Sequence, residues 1–137
     1  MGNTIISGTA DNSDVLEVSM ISGDEFCSEK QVAQIDLLKV DTEGFDLDVL
    51  AGFCGMLRER RVFALQVETT TNLDNRFHVH LERFIHFLHP FGYRLFGLSD
   101  FERTIYATKE KLNGSWFCDA VFVRERLDAK LRRDGRN

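Results

Sequence analysis

Residues 35–50 read IDLLKVDTEGFDLDVL. Ile35, Leu37, Leu38 and Val40 form a nearly continuous apolar run with Lys39 among them. Such a run predicts a strand over 35–40 buried on both faces, the pattern of a parallel sheet. Residues 44–58 read as a helix: Phe45, Val49, Phe53 and Met56 fall at helical spacing, and Leu47, Leu50, Cys54 and Leu57 widen the stripe. Five carboxylates, Asp36, Asp41, Glu43, Asp46 and Asp48, crowd this short stretch. The local reading is that Asp41 or Thr42 caps the helix, with Glu43, Asp46 and Asp48 near its positive end, each worth about 0.3–1 kcal/mol. The functional reading is that Asp41 and Glu43 stand at the carboxyl end of a parallel strand, where open α/β sheets bind their ligands.

The flanking sequence supplies the rest of a sheet. VLEVSMI, residues 15–21, alternates as a strand, and residues 22–34 read as a turn and a short helix. VFALQVE, residues 62–68, is a second nearly continuous apolar strand, with Glu68 at its end and a polar loop after it. Residues 77–89 read as a helix with Leu81, Phe84, Ile85 and Leu88 on one stripe, stopped by Pro90 and turned by Gly92. YRLFGL, residues 93–98, is a strand, and WFCDAVFV, residues 116–123, is the last one. Residues 99–115 are expected to be a polar connection, with TIYAT as its one candidate strand.

Strand–helix–strand units require parallel strands and right-handed crossovers, whereas the last two strands, joined without a helix, can pair antiparallel. The expected class is therefore α/β, a mostly parallel sheet with an antiparallel last strand. If strands 35–40 and 62–68 are neighbours, about 5 Å apart, then Asp41, Glu43 and Glu68 face one crevice. Carboxylates so placed can deprotonate a hydroxyl or hold a hard divalent cation. Lys39, on the opposite face from its apolar neighbours, is expected to pair with a nearby acid.

Composition narrows the classes. The chain has 137 residues, enough for one core, and its 43% hydrophobic and 28% charged residues are a globular balance. A net charge of −5 argues against a nucleic-acid backbone as the partner. No apolar run is long enough to span a membrane. The first residues resemble neither a signal peptide nor a myristoylation site. Cys27, Cys54 and Cys118 are an odd set without metal spacing, expected to be reduced and mostly buried as in the cytoplasm. His78, His80, His86 and His89 read as exposed helix histidines, not as a metal site.

Residues 35–53 resemble the central motif of the FkbM family of S-adenosylmethionine-dependent methyltransferases, an apolar strand ending in Lys-x-Asp-x-Glu-Gly and followed by an acid and Val-Leu-x-Gly. The matching residues are Lys39, Asp41, Glu43, Gly44, Asp46, Val49, Leu50 and Gly52. Asp46 stands where Glu is more usual. Upstream, VSMISGDEF resembles a strand ending in Thr-Leu-Asp, with Asp24 in the acid's place and Ser22-Gly23 departing from the pattern. Downstream, FALQVE and DAVFVR resemble later strands, so the likeness covers residues 15–124, between a loop or weak hairpin at 1–14 and a charged tail at 125–137.

The resemblance implies a Rossmann-like methyltransferase sheet and methyl transfer to the hydroxyl of a small molecule or glycan. It implies Asp41, Glu43 and Glu68 at the catalytic crevice, Asp24 and Asp41 toward the cofactor, and no metal. It also implies a glycine-rich loop for the cofactor's methionine end. ISGTADN, residues 6–12, carries a single glycine and precedes no apolar helix. The domain is therefore expected to lack its amino-terminal strands, leaving strand 35–40 as an edge open to self-association. The alternative expectation is a non-catalytic module that acts through that association or a protein partner.

Overall fold

The computed structural model describes residues 19–108 and 111–125, with side chains described over 19–101 and 116–125. Four strands form one sheet: β1 (Ile35–Val40), β2 (Val62–Thr69), β3 (Tyr93–Thr108) and β4 (Lys111–Arg124). Their order is β1-β2-β4-β3. β1 and β2 are parallel, and β4 is antiparallel to both β2 and β3. Three strands thus share one direction and the last, inserted between β2 and β3, is reversed, as the absence of a helix between β3 and β4 predicts.

Four helices accompany the sheet: α1 (Gly23–Glu29), α2 (Asp46–Ala51), α3 (Cys54–Arg58) and α4 (Leu81–Leu88). The Ser22 hydroxyl caps α1, accepting from the Glu25 N–H at 3.1 Å. Leu50, Met56, Leu57, Leu65, Val67, Phe84, Leu88 and Phe122 are fully buried or nearly so and join helices to sheet. Tyr93 lies among them, and its hydroxyl donates to the Val62 carbonyl at 2.7 Å. Gly92, at φ 81°, ends the 3-10 turn His89–Phe91 in the left-handed conformation that glycine adopts without penalty.

Several expectations are corrected. Residues 15–18 lie outside the described residues, and 19–21 carry no strand. β1 is not buried on both faces: Val40 is buried, but Leu37 is 54% exposed. Among the described residues β1 pairs with β2 alone.

The helix expected over 44–58 is two helices. In a continuous helix the N–H groups of Gly55 and Met56 would donate to the carbonyls four residues earlier. Here they donate to the Asp24 carboxylate, at 2.7 and 2.9 Å, while the Gly52 carbonyl accepts from the Asp24 N–H at 2.8 Å. Asp24 thus caps α3 across the chain and breaks the helix at Gly52-Phe53.

The helix expected over 77–89 begins at Leu81, because residues 77–80 bond elsewhere. The N–H groups of Phe77 and His78 donate to Asn75 Oδ1 at 2.9 and 3.0 Å, and His80 forms a parallel bridge with Thr70.

Residues 99–115 are not a connection. β3 and β4 continue through them as a two-stranded ribbon to the pair Thr108↔Lys111, with irregularities at Leu95/Gly97 and Ser99/Glu102. Asp100, at φ 50°, occupies the second of these, as a bulge requires. The candidate strand TIYAT is part of β3, pairing with residues 111–115 of β4.

The Tyr93 hydroxyl bond is the clearest single polar tie in the core. Tyr93→Phe is expected to cost about 1–2 kcal/mol by leaving a buried carbonyl short of its donor. A urea titration should show a lower midpoint at unchanged slope.

Candidate functional site

The β1–β2 register ends with Val40 opposite Val67, so Asp41 follows β1 level with Glu68 on β2. On the other side of β2, Glu68 stands directly opposite Asp119 of β4. With neighbouring strands about 4.8 Å apart, Asp41, Glu68 and Asp119 form a row of three carboxylates across three strands. This is the carboxyl end of β1 and β2, and the β3–β4 ribbon extends past β2 at the same end.

Each acid in the row has its own partner. The Lys39 ammonium lies 3.6 Å from Asp41, the pairing expected of it. The Gln66 amide donates to Asp119 at 2.5 Å. His78 Nε2 meets Glu68 Oε2 at 3.1 Å. Burial raises the Glu68 carboxyl above its ordinary 4.5; the Asp41 charge raises it further, His78 pulls it down, and Asp119 and Glu43 add to the rise.

Glu43 joins this group from the β1–α2 loop, where its φ of 50° is unusual for a residue with a side chain. Asp46, 1% exposed, shapes that loop: its oxygens accept from the Thr42 N–H at 3.3 Å and the Gly44 N–H at 3.2 Å. This corrects the expected capping by Asp41 or Thr42. The N-cap of α2 is Phe45, which makes no side-chain bond, and the acid that ties the loop is Asp46, inside the helix. The Gly44 backbone, at φ 102°, also touches the loop of Asn75: a Cβ there would lie 2.7 Å from the Phe77 carbonyl oxygen.

Asp24 stands apart from the row, with both oxygens engaged at α3. Beside it, an open hollow of about 620 Å³ is lined by Met20, Ile21, Phe26, Phe45 and Phe53, with Asp48 the one acid on its wall.

The family model described as "Methyltransferase FkbM domain" matches residues 2–95. The chain belongs to this family. No curated protein and no solved structure matches it.

In this FkbM methyltransferase domain, Asp41, Glu43 and Glu68 come together as their strand positions predict, and Asp24 does not join them. His78 and Asp119 complete the group and were not singled out from the sequence. His78 reads as an exposed helix histidine, yet it lies before α4, its side chain only 10% exposed, stacked 4.4 Å from Phe117. An Asn three residues ahead was its one local sign. Asp119 was detectable as an acid inside an apolar strand. Among the described residues no cluster could hold a metal ion, and no helix is long and apolar enough to cross a membrane.

Two outcomes follow from the loop and the row. Gly44→Ala should destabilise by about 1–3 kcal/mol, since it combines a left-handed φ with a backbone clash. Gly97→Ala, where a Cβ meets nothing within 4 Å, should change little; chemical denaturation of both checks this. For Glu68, a raised folded pKa means the fold prefers the protonated carboxyl. That preference stabilises fully below 4.5 and is lost as pH rises through the folded value. Glu68→Gln should therefore melt above the parent chain at pH 7, with the gap closing on acidification; a gap constant with pH would contradict it.

Proposed function

We propose that the chain serves S-adenosylmethionine-dependent methyl transfer to a hydroxyl oxygen, with Glu68 receiving the hydroxyl proton. The observation that carries this reading is the acid row. It places a partly exposed carboxylate, its proton affinity raised by burial and by Asp41, at the ligand-binding end of two parallel strands. A base of raised affinity is the better proton acceptor near neutral pH. The strand order, with one reversed strand between β2 and β3, supports placing the sheet in the Rossmann-like class that the family resemblance implies.

When bound, S-adenosylmethionine supplies the methyl group on a positively charged sulfonium. The chain's own residues fit such a ligand on two counts. Asp41 and Glu43 set a negative potential at the crevice that favours a cation. The hollow beside Met20, Ile21 and Phe45 offers apolar walls of the kind a purine ring needs. Asp24 is then a support for that wall: by holding α3 it fixes Ser22 and Gly23, which line the hollow. Asp41, in the row, is read as serving both cofactor and crevice. Glu68 and the ribbon end of β4 form the acceptor side. Among the described residues no glycine-rich loop supplies the grip on a methionine carboxylate, so ligand binding by this chain is the decisive measurement.

Titration of S-adenosylhomocysteine, read by heat or by melting temperature, should show binding. Asp41→Asn should weaken S-adenosylmethionine about tenfold, close to 1.4 kcal/mol, and the uncharged product analogue less. Absence of any response to either compound would remove the proposed function.

A further inference from the structure

The contacts of His78 with Asn75 and Glu68 together bear on where its ring hydrogen sits. Asn75 Oδ1 accepts two backbone N–H groups, from Phe77 at 2.9 Å and from His78 at 3.0 Å. Those two donors settle the amide's orientation, because the Nδ2 end could not accept either. Asn75 Nδ2, itself a donor, then lies 3.0 Å from His78 Nδ1. His78 Nδ1 also lies 3.3 Å from Asn75 Oδ1, but the shorter contact is to the Nδ2 donor, and the carboxylate at Nε2 can only accept when ionised, so the geometry favours an accepting Nδ1 and a hydrogen on Nε2. Nε2 faces Glu68 Oε2 at 3.1 Å and donates to it. Stacking on Phe117, with 15° between the ring planes, holds the imidazole in the orientation this bond needs. Glu68 Oε1 accepts no hydrogen bond among the described residues, and the side chain is 22% exposed.

We propose that Asn75, His78 and Glu68 form a positioned proton-accepting relay: Asn75 fixes His78 in its Nε2–H tautomer, His78 anchors Glu68 Oε2, and Oε1 is left to take a proton from an acceptor hydroxyl. This rests on the methyl-transfer reading for the identity of the acceptor, not for the tautomer. In the step itself the acceptor O–H bond breaks, its electron pair stays on the acceptor oxygen, and the proton forms a new O–H bond on Oε1. His78 does not touch the reacting atoms and is a positioning residue, as is Asn75. The charged and titratable groups facing Glu68 are Asp41 and Glu43 from the β1 end, Asp119 from β4 and His78 itself. Of these, His78 is the one that favours the ionised carboxylate, which is the form that can accept a proton.

The test uses the full chain labelled with ¹⁵N and ¹³C. Long-range ¹H–¹⁵N spectra should place the His78 proton on Nε2, and Asn75→Asp, whose carboxylate offers an acceptor to Nδ1, should move it to Nδ1. The Glu68 carboxyl resonance should titrate near its parent midpoint in His78→Gln, whose side-chain N–H can still reach Oε2, and at a higher pH in His78→Leu. Should His78→Leu fail to fold, the tautomer spectra and the Gln variant still decide. A parent chain with the proton on Nδ1, or a Gln variant whose Glu68 midpoint rises well above the parent's, overturns the relay. Silence toward S-adenosylhomocysteine with tautomer and midpoints as expected overturns methyl transfer and leaves the positioned carboxylate standing.

Discussion

The parallel pairing of β1 with β2, in the register that sets Val40 opposite Val67, is the constraint on which the site depends. A slip of one residue would turn every side chain of one strand to the other face. Asp41 and Glu68 would then no longer share a level, and the charge of one would not bear on the proton affinity of the other. The apolar run that ends each strand holds this register through burial: Val40, Leu65 and Val67 are all within the core. The oily segments and the acids that follow them are therefore one device. Packing of the first determines the spacing of the second.

Acids at the end of an apolar strand invite a local explanation through the helix that follows, and in this chain it accounts for part of the cluster. Asp46 is buried and bonded to two loop N–H groups, a structural task. Asp41 and Glu43 bond to no N–H group of α2 and point their charge at Glu68 instead. The same chemistry recurs at two more places: Asp24 takes the N–H groups of Gly55 and Met56, and Asn75 takes those of Phe77 and His78. Each short polar side chain gathers a pair of backbone donors that a helix would otherwise use. Asp24 ends a helix, Asp46 bends the loop at the crevice, and Asn75 delays α4 so that His78 can reach Glu68.

These interceptions also explain what was legible in the sequence. The apolar periods revealed β1, β2, the stripe of α4 and the core around Phe84 and Leu88, because burial leaves a pattern in the residues themselves. Glu68 and Asp41 were placed together because strand ends in a parallel sheet are predictable from order alone. The break at Gly52-Phe53 was not legible, since its cause, Asp24, lies some thirty residues upstream in the chain. The burial of His78 was hidden for the same reason: its stacking partner Phe117 belongs to the last strand. Of the ribbon beyond residue 98, only the candidate strand TIYAT was legible, and it lies in β3; the rest was not, because ribbon strands pair through backbone groups, which every residue carries.

Three carboxylates in a row repel one another, and a sheet selected for stability alone would replace the middle one with an amide. Its neighbours are better supported. Asp41 has a lysine cation, and Asp119 has an amide donor at close range. Glu68, between them, has an imidazole, a partner that donates a hydrogen bond without requiring a full positive charge. A lysine or arginine at position 78 would hold the carboxylate ionised and lower its proton affinity, whereas an apolar residue would leave it to its repelling neighbours and favour the protonated acid. A histidine donor lies between these extremes. It holds Glu68 Oε2 through a hydrogen bond while burial and the Asp41 charge keep the carboxyl's proton affinity raised.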